Sequence, residues 1–425
     1  MTKDATPVTR DGAREILKAN DRGGYTVPNA NVYPFQWNWD SAFVALGFQT
    51  FDEPRAWSEL ETLFSGQWDD GMVPHIVFHR PADGYYPGPA AWGTHHTPPT
   101  SGISQPPVAA SAALRLFRAA RDAQAARQRA QKLLPKLLAW HRWWHEIRDP
   151  DRSGLVTCVH PWESGRDNLP DWDAPLAAVT PTVDVSALRK DLTHVGAAER
   201  PTHDFYNRVM TLVEQARALG WNGAQIARES EFRVCDLGIQ CILLRADRDL
   251  HDLAWALEDA AAATEVGHWI ARSDAALTRL RADDGSFRSL DLRTGKLAPA
   301  ITSATFLPLY ARAVDQQTAS ALAELFERWA TKARFAVPST DPDFAGFDPQ
   351  RYWRGPVWLV MNFMIADGFA AYGFSEIASR IREDSAGLVR QSGLREYFDP
   401  RNGDGLGGRD FSWSAAIVLC WDLVA

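Results

Sequence analysis

Carboxylates and aromatic rings stand together in three short segments of the sequence. The first segment reads Phe35-Gln36-Trp37-Asn38-Trp39-Asp40. Its last residue, Asp40, could have no role beyond capping the N-terminus of a helix, which is a common position for aspartate. Flat apolar rings also stack on sugar rings, however, and a carboxylate beside two tryptophans and a glutamine could hold sugar hydroxyl groups. Both interpretations of Asp40 are open at this stage.

The second segment is the densest in acidic residues. It carries four carboxylates within eleven residues, together with two tryptophans: Trp162, Glu163, Asp167, Asp171, Trp172 and Asp173. Crowded negative charges and neighbouring indole rings both raise the pKa of a carboxyl group. One of these groups could therefore stay protonated at neutral pH and act as a general acid. The alternative is a solvated acidic turn, which the two indole rings disfavour.

The third segment lies near residue 400 and combines a glutamate with a glycine-rich turn. Glu396 precedes glycines at positions 403, 405, 407 and 408, and Phe411 and Trp413 follow. A side chain just before a turn is held on a rigid frame and stays reachable, as functional loop residues are. An ordinary exposed glutamate is the alternative. The segment thus supplies a second candidate carboxylate.

Helices must position these segments, because helical periodicity dominates the sequence. Leu137, Trp140, His141 and Trp144 follow an i, i+3, i+4, i+7 pattern, which is typical of one buried helix face. About a dozen helices are predicted in this way, whereas the best candidate strand is 181–185. No Gly/Ser linker or repeat divides the chain. We therefore predict an all-α toroid of helix pairs, with a single catalytic domain over residues 1–425.

The segment 79–107 interrupts the helical pattern. It contains seven prolines and four glycines, so we predict that it is not a helix. Tyr85, Tyr86 and Trp92 make it too aromatic for a disordered stretch, and long ordered loops are often covers of functional sites. We predict a lid-like loop that becomes ordered when ligand binds.

Charge and hydropathy exclude several classes of protein. The net charge is −8, with 53 acidic and 45 basic residues, and no basic block offers a surface for nucleic acid. The longest uncharged apolar stretch, 355–366, is too short to cross a bilayer. Asp4 and Pro7 stand where a signal peptide would be apolar. We therefore expect a cytoplasmic protein that binds neither nucleic acid nor membrane and could form a homo-oligomer.

Metal and cofactor sites are not predicted. The four cysteines show no CxxC pair, which disfavours a zinc site and a disulfide framework. His75, His79, His95 and His96 lie close in sequence, but their spacing matches no metal-binding helix motif. We expect no metal and no cofactor.

Six motifs, in order along the chain, resemble those of glycoside hydrolase family 63, the relatives of processing α-glucosidase. They are Gln36-Trp37-x-Trp39-Asp40, Gly71-Met72-Val73-Pro74-His75, Gln105-Pro106-Pro107, Glu163-Ser164-Gly165-Arg166-Asp167-Asn168, Tyr352-Trp353-Arg354-Gly355-Pro356-Val357-Trp358 and Glu396-Tyr397-x-x-Pro400. Trehalases are more distantly similar. The resemblance covers most of the chain and implies an (α/α)6 barrel.

The resemblance also implies an inverting glycoside hydrolase. Asp167, in an acid loop over 160–210, would be the general acid, and Glu396 would be the general base. Compact members that lack the β-sandwich domain of the larger glucosidases look most like bacterial mannosylglycerate and glucosylglycerate hydrolases. The implied substrate is therefore a small anionic α-glycoside, with the choice between mannose and glucose open.

The aromatic segments, the family motifs and the arginine-containing segment 200–208 together predict the residues that bind substrate: Gln36, Trp37, Trp39, Asp40, His75, Tyr86, Gln105, Arg166, Arg200, Tyr206, Trp353, Gly355, Trp358 and Trp413. An anionic substrate needs a local cation in a protein of negative net charge. We predict that Arg200 and Tyr206 bind the glycerate carboxylate, with Arg166 as the main rival. Surface ion pairs are the alternative role for each arginine.

Three other functions compete with this interpretation. An α-glucosidase or trehalase of the same fold would keep both carboxylates but act on neutral disaccharides. A sugar epimerase or isomerase would need paired histidines for proton transfer, and no regularly placed histidines stand beside the late aromatic segments. A non-catalytic sugar-binding module would need neither Asp167 nor Glu396.

Overall fold

The computed structural model describes residues 8–81, 85–190 and 195–424. Sixteen α-helices lie in these ranges: α1 Arg10–Asn20, α2 Asn38–Gln49, α3 Glu53–Leu63, α4 Pro89–Trp92, α5 Ala109–Ala119, α6 Ala123–Glu146, α7 Asp173–Ala177, α8 His203–Ala218, α9 Gly223–Glu229, α10 Leu237–Ala256, α11 Ala260–Leu277, α12 Leu307–Tyr310, α13 Gln316–Ala330, α14 Leu359–Ala371, α15 Ser375–Ser392 and α16 Ser412–Cys420. Seven short strands accompany them: β1 Gln36–Trp37, β2 Ile76–Val77, β3 Val234–Cys235, β4 Leu290–Asp291, β5 Lys296–Leu297, β6 Arg395–Phe398 and β7 Gly405–Arg409.

Six helices, α2, α5, α10, α12, α14 and α16, form a closed inner ring. Each packs against the next, and α16 packs against α2 to complete the circle. Six others, α1, α3, α6, α11, α13 and α15, each precede one inner helix along the chain and form the outer layer. The prediction of an (α/α)6 barrel is confirmed. Between α6 and α10 the chain carries an insertion with α7, α8, α9 and the predicted acid loop.

Side-chain patterning separates the two layers. Inner helix α14 carries apolar residues around its circumference and most of it is buried, as expected for a helix enclosed on every side. Outer helices α1 and α13 bury one face only. Asp122 and Asp236 cap α6 and α10 by accepting hydrogen bonds from first-turn N–H groups. Within the described ranges, no helix is long and apolar enough to cross a membrane.

The strands form three small antiparallel sheets. β1 pairs with β2, β4 lies between β3 and β5, and β6 pairs with β7. The best candidate strand of the sequence, 181–185, does not form a strand, in agreement with the prediction of a mainly helical chain. There, the backbone N–H groups of Thr182 and Val185 donate at 2.9 Å to the side chains of Thr211 and Asn207 on α8. Side-chain acceptors thus take the place of a partner strand.

The predicted lid segment packs against the barrel. Its residues 82–84, like residues 191–194 of the predicted acid loop, lie outside the described ranges. The segment contains one helical turn, α4, so the prediction that it is not a helix was wrong there. Pro89 stands at the start of that turn, where a missing N–H costs no hydrogen bond. Trp92 is fully buried, which anchors this half of the segment.

Candidate active site

A cavity of about 410 Å³ opens where inner helices of the barrel begin. Trp39 and Asp40 reach it from the first turn of α2, and Trp413 from the first turn of α16. Eleven of the predicted site residues line the cavity: Trp37, Trp39, Asp40, His75, Tyr86, Gln105, Asp167, Arg200, Tyr206, Glu396 and Trp413. The positive ends of the helix dipoles favour negative groups at this location.

Glu396 lies on β6, within the β6–β7 hairpin, and is 1% exposed. Its Oε1 accepts a hydrogen bond from the Tyr33 hydroxyl at 2.9 Å. Its Oε2 accepts from the backbone N–H of Gly408 at 2.9 Å and from Nη2 of Arg200 at 3.4 Å. Donors at both oxygens match a carboxylate, which in its ionised form can only accept.

The glycine-rich turn makes room for this carboxylate. Gly407 has a φ of +64°, and a Cβ atom there would lie 2.4 Å from Oε2 of Glu396. Glycine alone combines easy access to positive φ with the absence of a Cβ atom. Two of the glycines noted in the sequence, Gly407 and Gly408, therefore help to seat Glu396 on its hairpin.

Asp167 occupies a turn between two short 3-10 helices, 161–164 and 170–172. Gly165 begins this turn with a φ of +65°, and a Cβ atom there would lie 2.6 Å from the Trp39 ring. Burial raises the pKa of Asp167 to about 7; the charge of Arg200 opposes this rise and that of Glu396 adds to it. A substantial protonated fraction therefore exists near neutral pH.

Arg200 connects the cavity to Glu396. Its side chain is 2% exposed. Nη1 donates to the Tyr33 hydroxyl at 2.7 Å, and the Tyr33 and Tyr352 hydroxyl oxygens lie 3.1 Å apart. Among the described residues, Nε of Arg200 has no hydrogen-bond partner. The arginine predicted to bind a substrate carboxylate thus already contacts the carboxylate of Glu396, and its Nε–H group is unpaired among the described residues.

Asp40 and His75 add polar groups to the buried part of the wall. Burial raises the pKa of Asp40 well above its usual value, and the nearby Glu396 adds to the rise. Burial lowers the pKa of His75 well below its usual value, and its Nδ1 lies 3.1 Å from Oγ of Ser101. Burial thus favours the neutral form of both side chains, which can exchange hydrogen bonds with hydroxyl groups.

Gln36 does not line the cavity, although direct binding was predicted. Its amide nitrogen donates to Oγ of Ser41 at 3.0 Å and to the Glu59 carbonyl at 3.1 Å. Its carbonyl oxygen lies 2.7 Å from Nε2 of His79. Since its polar groups are used inside the protein, Gln36 supports the wall from behind.

Trp353, Gly355 and Trp358 also lie behind the wall rather than on it. The two indole rings stack with centroids 3.8 Å apart, and Trp358 stacks on Tyr397 at 4.5 Å. Gly355 packs against the backbone at Asp348. The predicted direct contacts are therefore replaced by a stack that supports β6, the strand that carries Glu396.

Arg166 is the fifth predicted residue that does not reach the cavity. It is fully buried and forms an ion pair with Asp236, the N-cap of α10. Adjacent side chains of an extended or turn segment point in different directions. Asp167 therefore faces the cavity, while Arg166 points to the N-terminus of α10. The structure gives Arg166, the rival candidate for the substrate carboxylate, an anchoring position in an ion pair with Asp236.

Several cavity residues were not predicted: Tyr33, Tyr85, Trp162, Lys190, Tyr352 and Phe411. Trp162, Tyr352 and Phe411 stand inside the motifs or aromatic segments of the sequence, so proximity to those segments could have indicated them. Tyr33 and Lys190 carry no such signal. Tyr33 meets Glu396 across 363 positions of sequence, a contact that local patterns do not encode.

Comparison with known proteins identifies the family. The family described as the mannosylglycerate hydrolase MGH1-like glycoside hydrolase domain matches residues 33–414. The chain belongs to this glycoside hydrolase family. The resemblance in six motifs is thus confirmed, because the family match extends over nearly the whole barrel. The chain is a glycoside hydrolase.

Individual members of the MGH1-like family support this assignment. A mannosylglycerate hydrolase of Thermus thermophilus is 48% identical over 413 residues, 96% of this chain and 99% of that protein. A glucosylglycerate hydrolase of Mycolicibacterium hassiacum is 34% identical over 96% of each chain. The crystal structure of a GH63 mannosylglycerate hydrolase from Thermus thermophilus, in complex with Tris and D-glycerate, superposes with a TM-score of 0.93, at 47% identity, over 97% of this chain and 99% of that one.

Proposed function

We propose that the protein hydrolyses mannosylglycerate or glucosylglycerate with inversion at the anomeric carbon. The observation that carries the proposal is a single cavity faced by Asp167, Glu396 and Arg200. Asp167 is the general acid, because the raised pKa keeps a proton available. Glu396 is the general base, because donors on both oxygens hold it in place.

The reaction uses the two carboxyl groups on opposite faces of the glycosidic bond. Asp167 gives its proton to the glycosidic oxygen as the bond to the anomeric carbon breaks. Glu396 takes a proton from the water molecule that attacks this carbon from the other face. Inverting enzymes keep the two groups about 6.5 to 9.5 Å apart so that the water fits between them. The products are a free sugar of inverted configuration and glycerate.

The glycerate specificity is supported by relatives and by the wall itself. The relatives that share 48% and 34% of their residues with this chain are a mannosylglycerate and a glucosylglycerate hydrolase, and the higher identity favours mannose. On this chain, Tyr86, Gln105 and Tyr206 line the cavity with Arg200. Carboxylate binding in proteins relies on such charge-assisted and hydroxyl donors.

Substrate comparison tests this function directly. The purified protein is assayed for kcat/KM with mannosylglycerate, glucosylglycerate and trehalose. We expect a glycerate glycoside to exceed trehalose by at least about a hundredfold, because a polar pocket left unpaired by the wrong substrate is costly. Preference for trehalose would establish the neutral-disaccharide alternative instead.

The pH dependence of kcat/KM should reveal the titration of the general acid, Asp167. Activity requires protonated Asp167, whose pKa is about 7 in the free protein, so kcat/KM should fall as the pH rises through that value. The fall should approach tenfold for each pH unit above it, as for a single titrating group. Steady-state rates with mannosylglycerate across the range provide the measurement, and a rate that keeps rising above neutrality would contradict the assignment.

Loss of Arg200 should impair glycerate glycosides most. Arg200→Ala removes a charge-assisted donor, so turnover of mannosylglycerate should drop at least about tenfold. Because Arg200 also contacts Glu396, we expect a smaller loss on a neutral aryl mannoside as well. Arg228→Ala, which removes an exposed ion pair with Asp151, is the matched control. Unchanged turnover of mannosylglycerate by Arg200→Ala would exclude this role.

A further inference from the structure

Cationic groups are few on the cavity wall. Among the described lining residues, the cations are Arg200 and Lys190, and they face the carboxyl groups of Asp40, Asp167 and Glu396. A glycerate carboxylate brings a negative charge into this space, next to the carboxyl group of Glu396. Its binding therefore depends on which of the two cations is available to it.

Arg200 is largely committed to the protein itself. Its guanidinium contacts Oε2 of Glu396 at 3.4 Å and the Tyr33 hydroxyl at 2.7 Å, and its side chain is 2% exposed. The positive charge of Arg200 is thus opposed by Glu396 before any substrate enters. A substrate carboxylate gains a charge-assisted hydrogen bond there, while part of the Arg200 charge remains engaged with Glu396.

Lys190 is placed differently. Among the lining residues that the structure describes, Lys190 and Asn31 are the exposed ones, so they mark the mouth of the cavity. Among the described residues, Lys190 forms no ion pair. The preceding Arg189 lies with its guanidinium carbon 3.9 Å from the centroid of the Tyr206 ring, and Tyr206 lines the cavity. This contact holds the backbone next to Lys190 against the wall.

A sugar ring bound at the deep end of the cavity would direct the leaving group towards this mouth. Asp40, Trp39 and Glu396 are at most 4% exposed and form the deep end, where a sugar ring finds stacking and hydroxyl partners. Asp167, which protonates the leaving-group oxygen, is more exposed than these three residues. In this arrangement the sugar occupies the deep end, Asp167 lies beside the glycosidic oxygen, and the aglycone extends towards the mouth.

We propose that Lys190 determines specificity for an acidic aglycone by binding the substrate carboxylate at the cavity mouth. This inference rests on the proposed function and extends it to a residue outside the family motifs noted above. The ammonium group acts mainly in capture, through a screened attraction between exposed charges. Its loss therefore affects KM, whereas the chemical step, carried by Asp167 and Glu396, keeps its rate.

The test compares Lys190→Met with wild type on two substrates, α-mannosylglycerate and α-mannosylglycerol, which has a neutral CH₂OH in place of the carboxylate. We expect KM for mannosylglycerate to rise about three- to tenfold, with kcat changed less than about twofold. Kinetics with mannosylglycerol should not change. High salt should shrink the difference between variant and wild type, and Lys190→Arg should restore the low KM.

Lys132→Met is the control, because Lys132 is an exposed lysine on α6 that does not line the cavity. It should behave as wild type with both substrates. Equal kinetics of Lys190→Met and wild type, or equal losses on both substrates, would overturn the inference while leaving the proposed function standing. A wild-type protein that hydrolyses no glycerate glycoside would overturn both, and this result is visible before any variant is made.

Discussion

Glu396→Gln and Asp167→Asn should each lower kcat for the glycerate glycoside by about 10² to 10⁴, since general acid and base catalysis have effects of this size. Each change preserves shape and removes one proton-transfer function. Glutamine cannot take the proton of the attacking water, and asparagine cannot protonate the leaving group. Steady-state and single-turnover rates at the optimum pH give the measurement.

Two further observations separate loss of chemistry from loss of structure. Asp173→Asn is the matched control for Asp167, because Asp173 lies in the same acidic segment but pairs with Arg354 on the surface. It should keep near wild-type activity. Circular dichroism and thermal unfolding should show both catalytic variants folded. Near-full activity in either variant would reject the assignment of that carboxyl group.

Arg166→Met is expected to destabilise the protein by about 3 to 5 kcal/mol, because it leaves the buried Asp236 carboxylate without its counter-charge. Both side chains of this ion pair are fully buried. Asp236 caps α10, and Arg166 directly precedes Asp167, so the loss should reach both the barrel and the acid turn. Unfolding in urea, followed by tryptophan fluorescence, measures the change in free energy.

The control for this stability effect is an exposed ion pair. Arg228→Met should cost no more than about 1 kcal/mol, the usual value of a solvated pair. If Arg166→Met unfolds at the wild-type urea concentration and loses activity only on glycerate glycosides, Arg166 contacts the substrate carboxylate after all. That result would restore the rival assignment made from the sequence.

The sequence predicted the barrel because helical periodicity reports which face of each helix is buried. The largely apolar α14 and the amphipathic α13 have different sequence patterns and occupy different layers. The seven strands were missed because most are two residues long. Such short strands form where distant segments pair. Two residues are too few to show the alternation of apolar and polar side chains that marks a strand in a sequence.

The motifs located the site more reliably than they assigned its contacts. Asp167 and Arg166 are neighbours in one motif, yet only Asp167 faces the cavity. The motif places both residues in one segment, but it does not indicate the direction in which each side chain points. Tyr33 and Lys190 reach the cavity from outside any motif, and only the folded chain brings them there.

The central claim is inverting hydrolysis of a glycerate α-glycoside, and the anomeric form of the released sugar tests it most directly. Mannosylglycerate is mixed with the wild-type protein and followed by proton NMR from the first turnovers, before mutarotation. The account predicts that β-mannose and glycerate appear first, with α-mannose growing only later. Initial release of α-mannose, or no release of mannose while trehalose is cleaved, would contradict it.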